Sequence, residues 1–193
     1  MAGLLRYTAL LDACVLFPLG VCDALMSVGK TELFAPKWTA RIDDEWTRSL
    51  AAQYSRPVQD FHARREDMHL AYPDWEVPEA AWSPLVAALA LPDENDRHVL
   101  AAAIAGHADC IVTMNLKDFP ASVLGAHGIE AVHPDEFLIH QFELDQVRVL
   151  TAFKQMRMRR RNPAFTPQMF ADAMERNQLL AVARLLRDAA DLI

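Results

Sequence analysis

Residues 7–17 read YTALLDACVLF, and this stretch determines how the rest of the chain is interpreted. It is almost wholly apolar, it is bounded by Pro18, and a single acid, Asp12, interrupts it. A short apolar run with such a boundary is typical of a buried strand. We therefore predict a first buried strand over residues 7–17, with a carboxylate placed after its most apolar part.

Further apolar runs alternate with helical patterns along the chain. DCIVT at 109–113 and the stretch 129–132 predict two more strands, and residues 19–28, 39–53, 58–70 and 97–106 predict helices. Such alternation indicates βαβ units and a parallel sheet. Residues 141–193 carry only helical patterns, interrupted at RRNPAFTP, residues 160–167. We predict an α/β domain over residues 1–140 and a helical C-terminal extension over residues 141–193.

Composition places few other limits on the protein. The chain has 193 residues, of which 52% are hydrophobic and 23% are charged, as in ordinary globular proteins. No apolar run approaches the roughly 20 residues that span a bilayer, so no membrane segment is expected. The apolar start lacks a basic segment, and we interpret it as a strand rather than a signal peptide. The odd cysteine count, without metal-ligand spacing, favours a reducing, cytoplasmic location.

Charge is unevenly distributed between the two predicted parts. Residues 1–140 carry 10 Lys+Arg against 20 Asp+Glu, a net charge of −10, and residues 141–193 carry 9 against 6, or +3. An acidic body binds nucleic acid poorly unless cations neutralise it. The tail contributes a basic cluster of Lys154, Arg157, Arg159, Arg160 and Arg161. This cluster is either a solvated helix face or a surface for RNA or a protein partner.

Four acids stand in positions that a parallel sheet would bring together. Asp12 and Asp118 come at or just after predicted strands, and Glu45 and Asp96 lie in or at the start of predicted helices. Loops that follow parallel strands open on one edge of the sheet, where ligands bind. Converging carboxylates favour a hard divalent cation, which indicates phosphodiester hydrolysis. Two simpler interpretations stay open: Glu45 belongs to an acidic surface run, and Asp96 caps a helix.

The motifs LLDACVLFP (10–18), DEW (44–46), DENDRHVLAAAI (93–104) and DCIVTMNLKDFP (109–120) occur in an order that resembles PIN-domain ribonucleases. Within them, the chain is most similar to VapC-type toxins of type II toxin–antitoxin pairs, over roughly residues 6–140. The resemblance implies a PIN-like fold with about five parallel strands between helices. It also implies Mg²⁺ or Mn²⁺ as cofactor, RNA as substrate (tRNA or rRNA), a cognate antitoxin and a homodimer.

By the same resemblance, Asp12, Glu45 and Asp96 are metal ligands and catalytic residues. The fourth position is Asp118, with Asn115 as the competing candidate, and Thr113 and Asn115 support the site. Arg97 and Lys117 are predicted to contact phosphate or to balance the acids. Cys14 stands where the family often has a polar residue.

The expected activity is therefore metal-dependent endoribonuclease action as the toxin of a pair. A non-toxic RNA-processing nuclease, or an RNA-binding module, is the alternative on the same fold. A phosphatase is disfavoured, because Asp12 is followed by Ala13 and Cys14 rather than by the second aspartate that a D-x-D motif requires. A DNA nuclease also ranks low, because no groove-reading element is visible.

Overall fold

The predicted parallel sheet is present and has four strands. The computed structural model describes residues 6–193, so the first five residues of the predicted 1–140 domain lie outside the described part. The strands are β1 (Thr8–Leu11), β2 (Ala35–Lys37), β3 (Cys110–Val112) and β4 (Glu130–Val132). They are arranged in the order β2-β1-β3-β4, and every pair is parallel. The count is four rather than about five, because the chain from 55 to 96 is helical or interrupted by prolines.

Eleven α-helices are described within residues 6–193, together with short 3₁₀ turns. In chain order they are α1 (Ala13–Leu16), α2 (Leu19–Gly29), α3 (Ala40–Tyr54), α4 (His62–Ala71), α5 (Glu79–Trp82), α6 (Arg97–Ala105), α7 (Ala121–Leu124), α8 (Pro134–Leu144), α9 (Gln146–Met158), α10 (Pro167–Arg176) and α11 (Leu180–Asp188). None of the helices in this range is both long enough and apolar enough to cross a membrane.

The first strand is shorter than the sequence predicts. It ends at Leu11, and residues 13–16 form α1 instead of continuing the sheet. The backbone N–H of Asp12 still donates to Val112 O of β3 at 3.2 Å, while Val15 N and Leu16 N donate back to Asp12 O. The prediction of a strand to Phe17 was wrong, because Val15 and Leu16 are buried equally well on a helical turn.

Helix α3 forms where a helix is predicted over residues 39–53. The side chain of Thr39 accepts a hydrogen bond from Ile42 N at 3.1 Å, so Thr39 is its N-cap. Ile42, Trp46 and Leu50 are buried, as the i, i+4, i+8 spacing indicates. This stripe fixes the rotation of α3 and therefore the direction in which its acidic run, residues 43–45, is presented.

The chain divides into two compact units. One contains the chain up to Phe17 together with Phe34–His133, and the other contains Pro18–Leu33 together with Pro134–Ile193. The sheet belongs to the first unit, in which α6 packs on β1 and β3 and α7 packs on β4. The second unit is wholly helical and includes α2, which packs on α8, α9 and α10. The helical unit thus includes α2, which lies early in the chain, as well as C-terminal helices. The division predicted at residue 140 stays a prediction.

Several cations of the basic cluster are used inside the helical unit. Arg159 Nη2 donates to Asp23 Oδ1 at 2.6 Å and to Ser27 Oγ at 2.7 Å. Arg157 Nη1 donates to Phe165 O at 2.6 Å, and Lys154 Nζ donates to Leu192 O at 3.1 Å. These side chains connect segments of the unit, which reduces the number of charges that the cluster has for a partner.

Candidate active site

Asp12 lies where β1 ends. Its side chain is buried, and its Oδ2 accepts hydrogen bonds from Thr113 Oγ1 at 2.7 Å and from Cys14 Sγ at 3.0 Å. The neighbouring strand β3 ends at Val112, so Thr113 lies beside Asp12 at the same edge of the sheet. The topology therefore joins two predicted site residues that are 101 positions apart in the chain.

Thr113 and Cys14 organise the backbone around this aspartate. The Thr113 hydroxyl accepts from Asn115 N at 3.0 Å, and Cys14 Sγ accepts from Met114 N at 3.1 Å. Burial and the nearby charge of Asp12 raise the pKa of Cys14 to about 12. The thiol therefore stays protonated at neutral pH and can donate to Asp12 from the position where the family often has a polar residue.

Glu45 is half-buried on α3. Its Oε1 accepts from Arg41 Nε at 3.0 Å and lies 3.1 Å from His98 Nε2. Burial alone would raise the pKa of Glu45, but the hydrogen bonds and charges of His98 and Arg41 outweigh it and lower the pKa. Glu45 is therefore a carboxylate at neutral pH, although it lies in an acidic run.

Asp96 is the last residue of a 3₁₀ turn, Glu94–Asp96, that leads into α6. It occupies the N-cap position of α6, yet its side chain makes no capping hydrogen bond. Burial, followed by the charges of Asp12, Asp93 and Asp118, raises the pKa of Asp96 to about 6. Because Asp96 caps nothing and is repelled by other acids, the simple capping interpretation does not account for its carboxylate.

These three carboxylates line one cavity of about 430 Å³. In each of Asp12 and Glu45, one oxygen accepts both hydrogen bonds, and no described group donates to the other oxygen. No group in residues 6–193 donates to the carboxylate of Asp96 either. The lining consists of Asp12, Ala13, Cys14, Phe17, Glu45, Ser49, Asp96 and Asn115.

Carboxylate oxygens without donors around one cavity are ligands of the type that Mg²⁺ or Mn²⁺ takes. Burial and then repulsion by neighbouring acids raise the pKa of Asp96. A bound cation would relieve this repulsion. Within residues 6–193, however, no three His, Cys, Asp or Glu side chains are close enough together to hold one ion by themselves. The carboxylate oxygens of the cavity still fit such an ion chemically, and water molecules would supply its other ligands.

The candidates for the fourth position differ in placement. Asn115 lines the cavity, whereas Asp118 does not, although its charge contributes to the raised pKa of Asp96. Arg97 Nη2 donates to Glu94 Oε1 at 2.7 Å, so it pairs with an acid outside the cavity lining. Lys117 is exposed on the turn that follows Asn115.

Sequence reasoning missed the role of Asp43. It belongs to the same acidic run as Glu45, yet it is 1% exposed. Its Oδ1 accepts from Trp46 Nε1 at 2.9 Å, and its Oδ2 lies 2.7 Å from His69 Nε2. Asp43 therefore stabilises the core. It directly follows the buried residue Ile42, and this position is the signal in the sequence that could have shown its burial. Phe17 and Ser49, which also line the cavity, were not predicted as part of the site.

Comparison with known proteins agrees with the fold and the motif order. The family model described as PIN domain matches residues 8–117. The chain belongs to the PIN-domain family. A second model, described as VapC50 C-terminal domain, matches residues 134–188, which covers most of the helical extension. No solved structure matches the chain.

A curated relative of this PIN-domain protein is named "Putative ribonuclease VapC50", from Mycobacterium tuberculosis. The two sequences are 42% identical over 94 residues, which is 48% of this chain and 56% of the relative. The aligned part thus spans about half the length of each protein. The resemblance to PIN domains of VapC type is confirmed by the two family models and this relative.

Proposed function

We propose that this PIN-domain protein is a metal-dependent endoribonuclease that hydrolyses RNA phosphodiester bonds. The observation that carries the proposal is the shared cavity of Asp12, Glu45 and Asp96, which come from a strand end, a helix and a helix start. Separate segments thus contribute carboxylate oxygens to one cavity at the carboxyl edge of the sheet. The name of the VapC50 relative supports ribonuclease activity.

Asp12, Glu45 and Asp96 would hold Mg²⁺ or Mn²⁺, and Asn115 would add an amide oxygen. When bound, such an ion neutralises a phosphoryl oxygen and lowers the pKa of a water molecule. His98 and Arg41 lower the pKa of Glu45 and so keep it ionised, and Thr113 and Cys14 orient Asp12. Thr113 and Cys14 hold Oδ2 of Asp12, so Oδ1 would be the oxygen that binds the ion.

The RNA chain would lie against the exposed part of the cavity. Lys117 is exposed on the turn next to Asn115, and we propose that it contacts a phosphate. Arg97 is paired with Glu94, and we propose that it balances the acids rather than binding RNA. The charge of Asp118 contributes to the raised pKa of Asp96, but its side chain does not line the cavity. Asp118 would therefore act through water or a second ion.

We further propose that the protein is the toxin of a toxin–antitoxin pair, works in the cytoplasm as a homodimer, is held inactive by a cognate antitoxin, and cleaves tRNA or rRNA. The similarity to VapC50 supports this role. The antitoxin would bind the helical unit, most of which matches the VapC50 C-terminal domain model. The division into a 1–140 nuclease domain and a 141–193 extension is retained as part of this proposal.

The activity is tested with matched RNA and DNA oligonucleotides of the same sequence. We expect cleavage of the RNA in Mg²⁺ or Mn²⁺, no cleavage in EDTA, and little cleavage of the DNA. Gel separation of labelled products gives the measurement, and end-labelled substrate distinguishes internal cuts from trimming. Cleavage that persists in EDTA after the protein has been stripped of metal would contradict the metal-dependent mechanism, and preference for DNA would contradict the substrate class.

The toxin role is tested separately by controlled expression in a bacterial host. We expect growth arrest on induction of the wild type, and no arrest with Asp96→Asn, which removes a cavity carboxylate while keeping the side-chain shape. Colony counts after timed induction give the measurement. Normal growth, with RNA cleavage retained in vitro, would favour the alternative of a non-toxic RNA-processing enzyme. Normal growth without cleavage would favour an RNA-binding module.

A further inference from the structure

His98 is the histidine of α6, and it is a polar side chain that is buried. It is 2% exposed and lies beside Trp82, with ring centroids 6.0 Å apart. Its Nε2 is 3.1 Å from Glu45 Oε1, and its Nδ1 is buried without a hydrogen-bond partner among the described residues. Burying a polar side chain that has a single partner costs free energy of folding. The partner of His98 therefore indicates the function of this side chain.

The geometry determines which ring nitrogen carries the proton. Glu45 Oε1 is a carboxylate oxygen and can only accept, so His98 must donate from Nε2. A proton on Nδ1 would be buried without an acceptor, which is unfavourable. The Nε2–H tautomer is therefore the one that the surroundings of His98 select.

The two donors to Glu45 act on the same oxygen. Arg41 Nε donates to Oε1 at 3.0 Å, His98 Nε2 lies 3.1 Å from the same oxygen, and no described group donates to Oε2. Arg41 is 44% exposed, so solvent screens its charge and its side chain can leave. His98 is enclosed by the core, so its hydrogen bond is the one that fixes the rotamer of Glu45.

We propose that His98 is a positioning residue that holds Glu45 Oε1, so that Oε2 remains available to bind the divalent ion. This inference rests on the proposed metal-dependent function and deepens it by adding a residue that does not line the cavity. Groups that orient a metal-binding carboxylate affect ion affinity by roughly 10–100-fold when they are removed. His98 would thus influence the ion without touching it.

Two substitutions of His98, by glutamine and by asparagine, distinguish the effect of the contact with Glu45 from the effect of having any polar side chain at this position. Glutamine places its amide nitrogen about where His98 Nε2 lies, whereas asparagine places its nitrogen near the position of Nδ1. Binding of Mn²⁺ is followed by the electron paramagnetic resonance signal of the free ion, without substrate. We expect His98→Asn to raise the Kd for Mn²⁺ by about 10-fold and His98→Gln by no more than about 3-fold.

His69→Asn is the matched control for His98→Asn. His69 Nε2 also contacts a carboxylate of α3, but that carboxylate belongs to Asp43, which does not line the cavity. We expect this variant to lose stability and to keep the wild-type Kd for Mn²⁺. Thermal unfolding by circular dichroism is recorded for all variants, so that an affinity change is compared at equal folded fraction.

A measurement on the wild type covers the case in which His98→Asn does not fold. Nitrogen-15 NMR of the imidazole rings is expected to show His98 as the Nε2–H tautomer, and an Nδ1–H tautomer would overturn the proposal. A folded His98→Asn variant with the wild-type Kd would also overturn it. If the wild type itself binds no Mn²⁺, the metal-dependent function fails as well, and this result is distinct from an unchanged Kd in the variant.

Discussion

Replacing Asp12 by asparagine is expected to lower the rate of metal-dependent RNA cleavage by about 1,000-fold or more. A divalent ion contributes several kcal/mol to transition-state stabilisation, and each ~1.4 kcal/mol is tenfold in rate. Asp12 is the one cavity acid that is almost fully buried, at 6% exposed, and two donors fix its Oδ2. The substitution removes the charge without removing the shape. Initial rates on an RNA oligonucleotide at saturating Mn²⁺ give the measurement.

The fold should survive this change. The asparagine oxygen can still accept from Thr113 Oγ1, which is 2.7 Å from the present Oδ2. Asp109→Asn is the matched control: Asp109 directly precedes β3, so it lies at the opposite edge of the same parallel sheet, where its Oδ2 accepts from Thr8 N at 2.7 Å. We expect the control to cleave RNA at the wild-type rate. Activity of Asp12→Asn within tenfold of the wild type would remove Asp12 from the site.

Strand and helix types followed from local patterns, but one boundary did not. The spacing of Ile42, Trp46 and Leu50 is compatible with a helix alone, so α3 and its Thr39 cap were predictable. The stretch from Ala13 to Leu16 is apolar at every position, and such a run fits a strand and a buried helix equally well. Only the hydrogen bonds that α1 makes back to Asp12 O decide between them.

The site was predictable where it depends on topology and unpredictable where it depends on side-chain contacts. The carboxyl ends of parallel strands meet, so Asp12 and Thr113 could be placed together from the strand pattern. Asp43 and Glu45 belong to one acidic run, yet the first bonds to Trp46 in the core and the second lines the cavity. The pairing of Glu45 with His98 spans 53 positions and depends on how α3 and α6 pack.

The contacts of the basic cluster, residues 154–161, were also not predictable from the sequence. A run of arginines in a sequence indicates available positive charge, and here it supported two interpretations. In the structure, Arg159 bonds to Asp23 and Ser27 of α2, and Arg157 bonds to a backbone carbonyl. Whether a charge is free for a ligand depends on contacts between distant segments, which composition does not encode. The proposed RNA binding would therefore rely more on bound cations and on residues near the cavity.

Replacing Trp46 by alanine is expected to lower the free energy of unfolding by about 3–5 kcal/mol, as for other large aromatic side chains removed from a core. Trp46 is fully buried, its Nε1 donates to Asp43 Oδ1 at 2.9 Å, and the guanidinium of Arg64 lies 4.7 Å from its ring centroid. The alanine would leave a cavity and remove a donor from a buried carboxylate. Urea unfolding followed by far-ultraviolet circular dichroism gives the measurement.

Trp46→Phe separates the two causes. It keeps most of the ring in the core but leaves Asp43 Oδ1 without its donor, which by itself costs about 1–3 kcal/mol. The difference between the two variants then measures the packing contribution of Trp46. Leu70→Ala, a large-to-small change at a side chain that is 79% exposed, is the control and should stay within about 0.5 kcal/mol of the wild type. A loss below about 1 kcal/mol in Trp46→Ala would mean that the core stripe of α3 does not hold Glu45 in place, and the position of that carboxylate would then need another cause.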